Sequence, residues 1–123
     1  MSDDAPAVVG IAVVVLDCAD PPALGAWWGR LLGGDLRVDA EGDAFLRVPG
    51  GLALDFLRVP EPKSGKNRLH IDLATADLAR ATEEVVALGA TRADDVHVGG
   101  SWQVLRDPEG NEFCLLAPRA PEG

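Results

Sequence analysis

The sequence predicts an α+β fold made of two copies of one βαβββ unit, two curved mixed sheets around a cleft. Three observations carry this reading. The order strand, helix, strand, strand, strand occurs twice, over about residues 9–59 and again over about 68–117. The punctuation repeats: Asp20-Pro21 and Ala76-Asp77 open the helices, and Leu32-Gly33-Gly34 and Leu88-Gly89-Ala90 close them. Matching turns, Pro49-Gly50-Gly51 and Asp107-Pro108-Glu109-Gly110, precede the last strand of each copy. A repeat of this length constrains the fold more than any single element does.

Each element has a local cause. Ile11-Ala12-Val13-Val14-Val15-Leu16 is a β-branched run and reads as a buried strand. Asp20 caps a helix whose first turn tolerates Pro21 and Pro22, because the N–H groups they lack have no helical partner there. Ala23, Leu24, Trp27, Leu31 and Trp28 form its apolar stripe, and Gly33-Gly34 ends it. Gly25 and Gly29, four apart, suggest close packing of this helix. Strands follow over 36–39, 44–48 and 52–58, and then a proline-stiffened linker. The second copy has a strand over 69–73, a helix from Asp77 with the stripe Leu78, Ala81, Val85 and Leu88, and strands over 91–94, 102–106 and 112–116. The expected organisation is one domain over 8–117, with units 8–59 and 68–117 joined by 60–67. Residues 1–7 and 118–123, rich in Pro, Asp, Glu and Gly, read as loose tails.

Bulk composition narrows the function classes. A chain of 123 residues with 47% hydrophobic content can bury a core without staples. The net charge of −9 argues against nucleic acid or an anionic membrane as partner. Lys63, Lys66 and Arg68 are the one basic cluster, either a solvated connector or a small anion-steering patch. Two cysteines make no disulfide scaffold, and the acidic start lacks the positive region of a secretory signal; a cytoplasmic protein is expected.

Strand alternation sorts side chains by face. Leu69, Ile71 and Leu73 should pack on a helix, which turns Arg68, His70 and Asp72 toward the cleft. Leu52, Leu54 and Phe56 go to the helix and Asp55 to the cleft. Phe113 and Leu115 go to the helix, and Glu112, Cys114 and Leu116 inward. Transferring the offset between the caps Asp20 and Asp77 onto His70 returns Val13. Val13, Asp55, His70 and Cys114 are then equivalent positions, expected at a common centre. Trp102, after a glycine pair, stands where an aromatic can line a pocket, and Trp28 is the helix tryptophan that could reach the cleft edge. Each residue also has a plainer reading. His70 could be a hydrogen-bonded core histidine, and Asp55 half of a structural ion pair with Arg68, Arg47 or His70. The cysteines could be small buried hydrophobes, and the helix tryptophans core residues.

The segments Asp20-Pro21, Trp27-Trp28, Leu31-Leu32-Gly33, Asn67-Arg68-Leu69-His70-Ile71-Asp72-Leu73, Ala87-Leu88-Gly89-Ala90-Thr91 and Asp107-Pro108-Glu109-Gly110-Asn111-Glu112-Phe113 resemble the vicinal oxygen chelate superfamily. That superfamily holds glyoxalase I, bleomycin-resistance proteins and extradiol dioxygenases, and the resemblance is to its small glyoxalase-like branch. It implies a cleft site, a homodimer and, in metal-using members, His or Glu ligands at the four positions. Only His70 matches; Asp55 and Cys114 stand where Glu is usual, and Val13 cannot ligate. Three functions are consistent with this pattern. One is a metal-free binder of a small molecule, with Asp55, Asp72 and Glu112 suited to a cationic ligand and Val13, Trp28, Arg68, Trp102 and Cys114 lining the site. Another is a lyase, isomerase or dioxygenase using Zn, Ni, Mn or Fe at His70 and Asp55, with Asp55 or Glu112 moving the proton. The last is a cofactor-free enzyme in which His70 and Asp55 do acid–base work.

Overall fold

A computed structural model describes residues 7–118. The outermost residues of both expected tails therefore lie outside the described residues. The chain runs β1 (Val14–Cys18), α1 (Pro21–Leu32), β2 (Asp35–Val38), β3 (Ala44–Arg47), β4 (Ala53–Arg58), β5 (Asp72–Ala74), α2 (Leu78–Ala87), β6 (Thr91–Arg92), β7 (Trp102–Arg106) and β8 (Glu112–Leu116). These form two four-stranded mixed sheets, ordered β1-β4-β3-β2 and β5-β8-β7-β6. In each sheet the strand before the helix lies parallel to the last strand, and the other pairs are antiparallel. The fold class is the expected one.

The repeat extends to the hydrogen-bond register. Val15 partners Asp55 in the first sheet, and Asp72 partners Cys114 in the second. Two residues earlier on each leading segment stand Val13 and His70, so the equivalence read from the helix caps holds in the backbone.

Both helix caps form as their sequences imply. The Asp20 carboxylate accepts from Ala23 N–H and the Asp77 carboxylate from Arg80 N–H. The helix faces of both sheets join one core, which includes Leu24, Trp27, Trp28, Leu54 and Phe56 with Val85, Leu105, Phe113 and Leu115. Trp27 and Trp28 meet edge to face, with ring centroids 5.3 Å apart, and both rings lie edge-on to Phe113. The Trp27 indole N–H donates to Leu88 O, and that of Trp28 to Asp107 Oδ2 at 3.0 Å. Glu109 closes the joint by accepting from the Ala19 and Asp20 N–H groups. Gly25 lets α1 lie close on the first sheet, because a Cβ there would lie 2.9 Å from Leu36 Cδ1.

Several boundaries differ from expectation. β1 begins at Val14, which pairs with Leu54, and β4 starts only one residue earlier at Ala53, so Ile11 and Ala12 have no strand residue opposite them. Val9 and Ile11 are left about nine-tenths exposed (98% and 90%). β5 shrinks to Asp72–Ala74, and Leu69 and Leu52, each expected against a helix but lying just ahead of its strand, are exposed. Just upstream of Leu69, the Asn67 N–H donates to the Glu112 carboxylate instead of to a strand partner. β6 stops at Arg92, because Ala93 O accepts the Val96 N–H and starts a turn.

Candidate functional site

Each sheet has one face covered by a helix and one turned away from it. Alternation places the chemistry-bearing side chains on the uncovered faces. The two faces differ in content.

On the second sheet the uncovered face carries Asp72 on β5, Glu112, Cys114 and Leu116 on β8, and Trp102 and Val104 on β7. With His70, Lys66, Val96 and His97 they line one cavity. His70 Nδ1 lies 2.8 Å from Asp72 Oδ1. A carboxylate only accepts, so the ring donates Nδ1–H and leaves Nε2 as the open nitrogen. Donor atoms of His70, Asp72 and Cys114 all lie within 4.8 Å of one another, a group that could hold a metal ion. Burial, with the charge of Asp72 and a hydrogen bond to it, holds the Cys114 thiol above its ordinary pKa. Cys114 packs with Ala93 and Val104 in a small satellite cluster.

Trp102 forms the rim. His97 stacks on it with centroids 4.1 Å apart and 9° between planes, and the His97 ring is also bonded to Gly99 O at 2.7 Å. Sequence reasoning missed His97. It follows a two-residue strand in an aperiodic loop, and periodicity is silent there. One signal was available: the chain has only two histidines, and both line this cavity.

Glu112 has a structural role at the cavity edge. It is 4% exposed. Burial alone would raise its pKa, but the Asn67 N–H, Arg106 and Lys63 outweigh it and hold the carboxyl below its usual range. Arg106 donates to it and, by a fork, to Asp95. Lys63 completes the hub at 3.5 Å. Of the basic cluster, Lys63 is thus tied to Glu112, Lys66 lines the cavity, and Arg68 is exposed and lines neither face.

The uncovered face of the first sheet is lined by Val13, Asp35, Arg37, Phe45, Arg47 and Asp55. Val13 and Asp55 therefore meet on one face, and His70 and Cys114 on the other. Within one chain the four equivalent positions line two cavities, one per sheet, and the expected common centre is not formed. The expected partnership of His70 with Asp55 is replaced by His70 with Asp72. The physical reason is that the sheets are joined through their helix faces, by Trp27 and Trp28 on Phe113, so each uncovered face carries its own cavity. Trp28 is 1% exposed and its N–H is spent on Asp107. It lines, with His70, Asn67 and Phe113, a groove along the free edge of β1.

Residues 13–116 match the family described as Glyoxalase-like domain. No sequence among curated proteins matches. Among solved structures, the fosfomycin resistance protein FosX from Listeria monocytogenes, complexed with Mn(II) and sulfate, is 15% identical with a TM-score of 0.71, covering 91% of this chain and 92% of that one. FosX from Mesorhizobium loti is 14% identical at TM-score 0.68, covering 91% and 94%. A glyoxalase/bleomycin resistance protein/dioxygenase family enzyme from Burkholderia phytofirmans PsJN is 18% identical at TM-score 0.67, covering 84% and 94%. At these identities the structures attest the fold, and the sequence match attests the family: the chain belongs to the glyoxalase-like domain family, within the vicinal oxygen chelate superfamily.

Proposed function

We propose that this protein binds a small, partly apolar molecule over the uncovered face of the second sheet, without the usual full metal-ligand set of its superfamily. The observation that carries this reading is the convergence of Trp102, His97, His70 and Asp72 on one cavity. Trp102 supplies an aromatic surface, worth about 0.5–1.5 kcal/mol to a stacked ring. His70, oriented by Asp72, supplies a hydrogen-bonding nitrogen. Val13, a residue with no donor atom, stands at one of the four repeat positions. Nucleic acid is an unsuitable partner for a chain of net charge −9. Among the described residues no helix is long and apolar enough to cross a membrane. A cytoplasmic location accords with the two cysteines, both free in the fold.

We further propose a homodimer. Two uncovered sheet faces, and exposed Val8, Val9, Ile11 and Leu69, favour a second copy as partner. Pairing the first-sheet face of one copy with the second-sheet face of the other would bring Val13 and Asp55 toward His70 and Cys114. Sedimentation equilibrium should show a dimer at micromolar concentration, and a strict monomer would remove this part of the reading. The domain span 8–117, with its two units and linker, is proposed on the same footing.

The binding reading is tested with chelator-treated protein and a panel of small aromatic, cationic and vicinal-oxygen compounds, followed by ligand-observed NMR. Hits should weaken about tenfold in Trp102→Ala and in His70→Ala, which corresponds to about 1.4 kcal/mol. Hits indifferent to both substitutions would contradict the reading.

One observation favours a second reading, a divalent-metal-dependent lyase, isomerase or dioxygenase. It is the donor group His70, Asp72 and Cys114. These three would hold the ion, which supplies Lewis-acid polarisation of two adjacent substrate oxygens when bound. Trp102 would position the substrate. Glu112 is a poor proton carrier, since its oxygens are already engaged by Asn67, Arg106 and Lys63.

A further inference from the structure

We infer that the second sheet by itself carries a thiolate-containing site for a borderline divalent cation of the Zn(II) or Co(II) class, and that this site disfavours Mn(II). The inference rests on the second reading above and goes beyond it by naming the metal class and the ligands.

Three features of the chain lead here. The donors are chemically mixed: an imidazole from His70, a carboxylate from Asp72 and a sulfur from Cys114, with all donor atoms within 4.8 Å. Such N, O and S sets suit Zn(II) and Co(II), whereas Mn(II) favours all-oxygen or oxygen-and-nitrogen sets. The placement is also local. Asp72 and Cys114 are register partners on adjacent parallel strands β5 and β8, and His70 lies two residues before Asp72 on the same face. No donor is needed from the first sheet, where the equivalent register pair is Val15 and Asp55 and the counterpart of His70 is Val13. A site confined to one sheet does not depend on how the two halves, or two copies, are paired. Finally, the three donor residues line a cavity rimmed by Trp102 and His97, so an ion they held would be reachable by a small molecule, as in catalytic rather than purely structural sites.

Binding balances simply. The Cys114 S–H bond breaks, a sulfur–metal bond forms, and the proton passes to solvent. His70 binds through an unprotonated ring nitrogen and Asp72 as its carboxylate. No oxidant or reductant is involved.

The test uses the full chain, freed of metal with a chelator and titrated with Co(II) while its absorption spectrum is recorded. One equivalent of Co(II) should bind and produce a near-ultraviolet sulfur-to-cobalt charge-transfer band together with visible ligand-field bands. Zn(II) should displace it, and Mn(II) should compete at least about tenfold less well. Cys114→Ser should lose the near-ultraviolet band, whereas Cys18→Ser, which removes the other thiol, should keep it. His70→Ala should weaken binding by about tenfold or more, with circular dichroism confirming the fold of each variant. Co(II) binding without a charge-transfer band, or a band that survives Cys114→Ser, would overturn the inference. Mn(II) binding as tightly as Zn(II) would overturn it while leaving a metal-dependent reading intact. A protein that takes up none of the three ions would sink both.

Discussion

The two halves share strand order, helix position and register, yet their uncovered faces hold different chemistry. The pair Val15–Asp55 in the first half is the pair Asp72–Cys114 in the second, and Val13 is the counterpart of His70. Arg47 opposes Ala53 in the first sheet as Arg106 opposes Glu112 in the second. So the second half clamps its arginine to a buried acid, and the first leaves Arg47 facing a cavity with Phe45 and Asp55. The covered faces, where packing dictates residue type, are alike in the two halves, and the uncovered ones differ.

The largest break in this comparison is expected at Gly34. Its counterpart at the end of the second helix is Ala90, so Gly34→Ala would copy the second half into the first. It should nonetheless fail. Gly34 has φ of +104°, and a Cβ there would lie 2.0 Å from Arg47 O. A loss of about 4 kcal/mol or more, seen as a collapse of the thermal midpoint, is expected. A variant of unchanged stability would show that the two helix exits are interchangeable.

Glu112→Ala copies the first half's Ala53 into the second. It should cost about 2–3 kcal/mol, because Arg106, Lys63 and the Asn67 N–H lose a charged acceptor. Chemical denaturation measures this, and a cost near zero would show that the linker is anchored elsewhere.

The cysteines sharpen the contrast further. Burial, then the charges of Glu109, Asp107, Asp17 and Asp20, push the Cys18 thiol from its ordinary 9.0 up to about 12. A raised pKa stabilises the folded protonated form fully below the unfolded value. That contribution is lost as pH rises from about 9 through about 12. Cys18→Ala should therefore flatten the alkaline decline of stability, and an unchanged slope would remove this account. Cys18 should also resist alkylation at mild pH, since only thiolates react.

Much of this was legible in the sequence for local reasons. The caps Asp20 and Asp77, the glycine exits and the two-residue alternation each depend on neighbours in the chain, so the repeat and the faces within the paired strands could be read, whereas Arg68 and Leu69, ahead of the shortened β5, were misassigned. The positions of Asp55, His70 and Cys114 on uncovered faces followed from that alternation. The meeting of all four repeat positions did not follow. It depends on how two sheets are joined, and that is set by Trp27 and Trp28 against Phe113, which alternation assigns only to a generic core. The choice of Asp72 over Asp55 as the partner of His70 was hidden for the same reason. His97 was hidden because it lies in a loop whose path is fixed by the Trp102 stack and the Gly99 carbonyl rather than by any period.

The chemistry we propose belongs to the second sheet, with Asp72 rather than Asp55 completing the group around His70. Calorimetric titration of Zn(II) into metal-free Asp72→Ala and Asp55→Ala tests it most directly. Asp72→Ala should lose about tenfold or more in affinity, and Asp55→Ala should stay within about twofold of the unaltered protein. The reverse order, or equal losses in the two variants, would contradict the account.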